Sequence, residues 1–357
     1  MTIALSHGGS TVYTAAVPSR RLLVGTGDGV VVLERATPRG AWKEVGRTLR
    51  DRHVSALVTP RPDLVVAGVF HGTVYVSGDG GESWEHRGTG IDREHVFSVA
   101  AVERGGRLRL YAGTEPAHLY ASDDLGLHWT ELTGLRAVPS VPQWMFPAPP
   151  HDAHVKHIVP DPSDPRRLYA CIEQGALLCS EDGGVTWREL GGVDEDVHFL
   201  SLDPRDPRRL YITGGNGCYA SADAGATWEH RTTRTDPIGG YPDTLARRPG
   251  DSDLMFMGAA AGNPAVWRQT RKADARVCRS RDGGRTWHIV SGGLPGGVTG
   301  AIEAIALEDT GDAVAVYLAT TAGDVYASED AGESWERIAA GLPPVAKYGH
   351  DRALMGL

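Results

Sequence analysis

The stretch SEDGGVTW, residues 180–187, recurs almost unchanged along the chain. SGDGGESW begins at Ser77, SDDLGLHW at Ser122, SADAGATW at Ser221, SRDGGRTW at Ser280 and SEDAGESW at Ser328. Serine always stands first, aspartate third, glycine fifth and tryptophan eighth. The copies start 41 to 59 residues apart, which is the mark of a repeat array rather than of unrelated domains.

One repeat shows what the octet is for. HVKHIVPDP from His154 is an apolar run stopped by proline and aspartate, RRLYACIEQG and ALLCS are two further runs, and WREL follows the octet. Four short β-rich runs separated by turn residues describe one blade of a β-propeller. Within the octet the aspartate accepts from backbone N–H groups of its own turn, glycine supplies positive φ, and tryptophan packs between neighbouring blades. These aspartates therefore read as folding devices, not as catalysts.

Counting repeats predicts an all-β fold, a seven-bladed propeller in one domain over residues 1–357. Residues 11–46 form a degenerate first blade, in which TVYTAAV is the first strand and only Trp42 survives from the octet. Later blades cover about 53–87, 95–133, 154–191, 196–231, 241–291 and 301–339, followed by a tail over 340–357. Either MTIAL or the tail KYGHDRALMGL crosses the seam where the ring closes, and the sequence leaves both open.

The octets resemble the Asp box, or BNR repeat, of the sialidase-like propellers. That group also includes the sortilin ectodomain, the xyloglucan-cleaving glycoside hydrolases and the photosystem II assembly factors of the Ycf48 type. The resemblance covers nearly the whole chain. It implies the fold but not the chemistry, since the group spans enzymes, receptors and assembly factors. A true sialidase is excluded: the FRIP stretch is absent, histidines stand where an arginine triad is wanted, and those enzymes have six blades.

Bulk composition narrows the partners. Of 357 residues, 41% are hydrophobic and 23% charged, and the net charge is −9. With no basic stripe, neither nucleic acid nor an anionic membrane is an expected partner. The start MTIALSHGGSTVY lacks a charged leader region, and nothing approaches the roughly 18 apolar residues of a membrane span. Cys171, Cys179, Cys218 and Cys278 lie in apparent strands without CxxC spacing, so they read as reduced thiols in a cytoplasmic protein, with a Cys171–Cys179 disulfide as the lesser reading.

Candidate chemistry comes from aligning the first strand of each blade on Leu57, Val99, Ile158, Leu200, Leu245 and Ile305. Four positions earlier stand His53, His95, His154, Asp196, Tyr241 and Ala301; two positions earlier stand Ser55, Phe97, Lys156, His198, Asp243 and Glu303. Both rows share one parity and point the same way, toward the channel mouth opposite the octets. Turns on that face add His71, Glu115, His118 and Glu173. Imidazoles backed by carboxylates suit a divalent transition metal, with iron, copper or zinc admissible. His53, His95, His154 and His198 are the predicted ligands. Glu115, Glu173 and Asp196 are the predicted orienting or acid/base groups.

Two insertions fall on the same face. Residues 134–153, GLRAVPSVPQWMFPAPPHDA, form a proline-stiffened wall with Trp144; residues 259–276, AAAGNPAVWRQTRKADAR, extend a turn with Trp267 and Arg268. The predicted pocket is completed by His71, His118, His157, Tyr241 and Asp243. His86, His128, His230 and His288 belong to the solvated rim. The leading expectation is a metal-dependent enzyme acting on a small molecule. The alternatives are a non-catalytic propeller binding a protein partner, and a glycoside hydrolase using a carboxylate pair drawn from Glu115, Glu173, Asp196 and Asp243.

Overall fold

In the computed structural model, residues 1–347 other than 252, 297 and 299 are described, together with 349, 350 and 352. They form seven sheets arranged as a seven-bladed β-propeller. In blades 2 to 6 the four strands follow chain order from the channel outward, each antiparallel to the next; in blade 4 these are His154–Pro160, Leu168–Glu173, Ala176–Ser180 and Arg188–Glu189. No helix among the described residues is long and apolar enough to cross a membrane.

The repeated octets behave as one turn built six times. In blade 4 the Ser180 hydroxyl donates to Asp182 and accepts from the Gly184 N–H, while Asp182 accepts from the Thr186 N–H (2.9 Å) and hydroxyl (2.6 Å). Those bonds, led by the Thr186 hydroxyl, hold the Asp182 carboxyl down at about 2. The fifth-position glycine lies at positive φ in every copy, +92° at Gly184. The tryptophans tie blades together: Trp84 Nε1 donates to Thr48 of blade 1, and Trp129 Nε1 to the Arg87 carbonyl of blade 2.

Ring closure departs from the expectation for residues 11–46. The first strand of blade 1 is Thr2–Leu5, pairing in parallel with Arg21–Val24, whereas Val12–Thr14 pairs in parallel with Leu307–Asp309 of blade 7. Burial explains the exchange. TIAL is apolar and buried at every position, as an inner strand requires, while VYT buries only Tyr13. The N-terminal segment thus carries the seam, and Trp42 packs on Tyr317 of blade 7 at 5.9 Å.

Between those two strands the chain crosses the channel. Gly8 N donates to the Ser55 carbonyl (2.9 Å), and Leu57 N to the Ser6 hydroxyl (2.8 Å). A Cβ on Gly8 would stand 2.2 Å from the Phe97 carbonyl oxygen, and one on Gly9 2.0 Å from that of Leu57. Only glycine permits this approach. The N-terminal backbone is therefore packed directly against the inner strands of blades 2 and 3. All four cysteines are buried free thiols; Cys171 lies opposite Leu177 and Cys179 opposite Tyr169, so the lesser disulfide reading is not realised.

Candidate functional site

Each inner strand from blade 2 to blade 7 carries an irregularity at one place. The register shifts between Val54/Ala56, Val96/Ser98, Val155/His157, Val197/Phe199, Pro242/Thr244 and Ile302/Ala304. The residue skipped is Ser55, Phe97, Lys156, His198, Asp243 or Glu303, the whole of the second predicted row. A bulge releases one residue from the ladder and re-aims its side chain. Here it leaves a buried side chain from each of six blades at the channel.

These side chains and their neighbours form a buried ionic network. His154 Nε2 lies 2.8 Å from Glu173 and its Nδ1 3.2 Å from Glu115. Lys156 pairs with Asp243 across the channel and stands 3.4 Å from Glu173. His198 Nε2 is 3.2 Å from Asp196 and 4.0 Å from Glu173, and its Nδ1 bonds the Pro242 carbonyl at 2.7 Å. The result is a chain of groups, Glu115–His154–Glu173–His198–Asp196, centred on a carboxylate that is 1% exposed. Burial alone would raise the Glu173 pKa, but Lys156, Lys347 and His154 outweigh it and hold Glu173 ionised. Burial and Lys156 likewise oppose charge on His198, but Asp196 and Asp243 prevail and raise its pKa.

Two parts of the network were not anticipated. The tail enters the mouth: Lys347 pairs with Glu173, its N–H donates to Glu303 (2.6 Å), and His350 bonds Glu303. His7, from the crossing N-terminal segment, lies 4.0 Å from Asp243. The one available signal was the Gly8–Gly9 pair beside His7, since paired glycines mark close backbone approach.

The predicted four-histidine ligand set is not assembled. His154 and His198 meet through Glu173, but Phe70 and Phe97 stand between His95 and His154: His95 stacks on Phe70 at 4.1 Å, Phe97 on His154 at 4.1 Å, and the two phenyl rings are 5.3 Å apart. His53 bonds instead to the Ala346 carbonyl of the tail at 2.9 Å. His71 and His95 sit with Glu94 in an exposed group at the rim.

Other predicted pocket residues also move. His118 is turned into its own blade, with Nδ1 2.7 Å from Glu131. His157 stacks on Phe199 at 3.7 Å between blades 4 and 5, because the bulge at Lys156 reverses its direction. Trp144 is half-buried, bonding the Ser140 hydroxyl, and it is Phe146 of that insertion that reaches the network, 5.2 Å from His154 and 4.7 Å from the Lys347 ammonium. The second insertion folds into a short helix, Pro264–Thr270, capped by Asn263. It buries Trp267 against Tyr241 (6.1 Å) and His350 (5.5 Å) and leaves Arg268 exposed. Tyr241 and Asp243 are in place, Tyr241 lying 4.8 Å from His198. Two surface grooves of about 570 and 510 Å³ lie elsewhere, and none of their lining residues belongs to the network.

This geometry can now be set beside known proteins. No family model matches the sequence. A probable oligoxyloglucan-reducing end-specific xyloglucanase of Neosartorya fischeri is 27% identical over 265 residues, 64% of this chain. The chain is similar to a probable xyloglucanase. It spans only 29% of that relative's length. Among solved structures, an ancestral GH74 enzyme matches 80% of this chain and 38% of its own, with a TM-score of 0.63 and 19% identity. YCF48 bound to D1 peptide matches 88% of this chain and 91% of its own, with a TM-score of 0.56 and 16% identity. At these identities the two structures speak for the fold alone.

Proposed function

We propose that the chain is a glycan-acting propeller of the Asp-box kind, a glycoside hydrolase on β-glucans of the xyloglucan class, working at the face where Glu115, Glu173 and Asp196 gather. The observation that carries this reading is the 27% identity over 265 residues to the xyloglucanase. The chemistry of the face supports it. Glycoside hydrolysis needs two carboxylates, one ionised as base or nucleophile and one delivering a proton. Asp196 is the base or nucleophile: burial disfavours its charge, but the adjacent His198 overrides burial and holds it ionised. Glu115, 3.2 Å from the His154 imidazole, is the second carboxyl group of the pair. Glu173, locked between two ammonium groups and His154, orients both imidazoles rather than reacting.

Release of reducing ends from xyloglucan tests this. Wild-type protein is expected to release them, and Glu115→Gln and Asp196→Asn each to slow release by about 100-fold or more while retaining oligosaccharide binding. No release and no binding by the wild type would overturn the reading.

A second reading is a non-catalytic interaction propeller, since the chain shares its fold with YCF48 bound to D1 peptide (TM-score 0.56). That reading predicts neither hydrolysis nor sugar binding.

A further inference from the structure

We propose that His7, Asp243 and Glu303 form a binding site for one divalent transition cation, with zinc the best-matched ion. One ligand atom from each residue lies within 4.8 Å of the others, and all three residues are buried. This is a different set from the histidines picked out by the sequence, and it is independent of the glycan reading.

The decisive observation is what the His7 ring lacks. Its side chain is 2% exposed, yet neither ring nitrogen has a hydrogen-bond partner among the described residues, and Asp243 Oδ2, 4.0 Å away, has none either. Leaving such groups buried and unpaired is costly, so buried polar atoms converging on one point indicate a shared partner. A neutral imidazole presents one nitrogen lone pair beside its N–H, the carboxylates present several more, and a cation is what satisfies several lone pairs at once.

Both carboxyl groups are already held by outer contacts. Lys156 holds Asp243 Oδ1, leaving Oδ2 turned toward His7. The Lys347 N–H holds Glu303 Oε2 at 2.6 Å, and His350 holds Oε1. Outer contacts of this kind orient metal ligands and set their basicity. One imidazole with two carboxylates suits zinc better than the all-oxygen sets of magnesium or calcium. The competing trio Glu173, Asp196 and His198 is weaker, because His198 already bonds the Pro242 carbonyl through Nδ1, whereas neither ring nitrogen of His7 has a partner among the described residues.

Position gives the site its role. His7 lies between the strand that opens blade 1 and the strand that joins blade 7, while Asp243 and Glu303 belong to blades 6 and 7. A cation here fastens the N-terminal crossing to the blades where the ring closes, and its binding energy becomes folding energy.

The test is metal content by elemental analysis after chelation and reloading with zinc, with the melting temperature measured in both states. The expected result is one zinc per chain and a higher melting temperature when loaded. His7→Gln and Glu303→Gln should each lose the zinc and the temperature gain while retaining the circular dichroism of the apo fold. His350→Ala should weaken zinc about tenfold, and His95→Ala should change nothing. Cobalt(II) loaded into wild-type protein, read by visible absorption, provides a measurement that needs no variant to fold. Wild-type protein that takes up neither zinc nor cobalt, or a His7→Gln variant that keeps its zinc, overturns the proposal.

Discussion

The Lys156 ammonium on blade 4 meets the Asp243 carboxylate on blade 6 across the channel, both released from their strands by a bulge. Two buried charges from non-adjacent blades thus share one pair. Removing one partner strands the other in a dry interior. Lys156→Met is expected to destabilise the protein by about 3–5 kcal/mol. Lys156→Met with Asp243→Asn should cost less than the two single changes added together, by about 1–3 kcal/mol. Denaturant titration of the four proteins reads both values. Strict additivity would show that the pair is not coupled.

The N-terminal crossing depends on two glycines. Gly8→Ala and Gly9→Ala each drive a methyl group into a backbone carbonyl oxygen of an inner strand. Each is expected to cost about 1–3 kcal/mol, as overpacking does. Gly46→Ala, on an outer strand with nothing within 4 Å of the added carbon, should be neutral. Melting temperatures of the three variants decide this, and equal values would refute this packing.

Acid sensitivity follows from His157. Burial first, and Lys156 second, push its pKa down to about 3, against 6.5 for an ordinary histidine. The folded protein therefore keeps this ring neutral while the unfolded chain takes up a proton below pH 6.5. The contribution to stability is complete above that value and is lost as pH falls from 6.5 toward 3, at about 1.4 kcal/mol per pH unit. His157→Phe keeps the stacking on Phe199 and should flatten the decline by that slope, read from unfolding free energies between pH 6 and 4.

How far the sequence could be read is clearest at the inner strands. The two aligned rows identified Lys156, His198, Asp243 and Glu303 as channel residues, because an octet repeated six times fixes the phase of every blade. Parity alone, however, made His53 and His95 companions of His154. It could not show that Phe70 and Phe97 fill the space between them, since Phe97 is re-aimed by the bulge at Val96/Ser98 and Phe70 lies on a second strand, outside both rows. His157 stands at the opposite parity to both rows, and the bulge at Lys156 sets it against Phe199 between blades 4 and 5. The exchange of Thr2–Leu5 for Val12–Thr14 in blade 1 was hidden because both runs are β-prone, and only the burial available on each side chooses between them. Lys347 and His350 were missed because a tail carries no repeat from which to take its phase.

The proposed working face is the one bearing Glu115, His154, Glu173 and Asp196, with a glycan as its ligand. Hydrogen–deuterium exchange with and without xyloglucan oligosaccharides measures this directly. The predicted result is slower exchange in segments 113–118, 153–157, 172–176 and 195–199, with the aspartate turns at 77–84 and 180–187 unchanged. Protection confined to those turns, or no change in any segment at saturating sugar, would contradict the account.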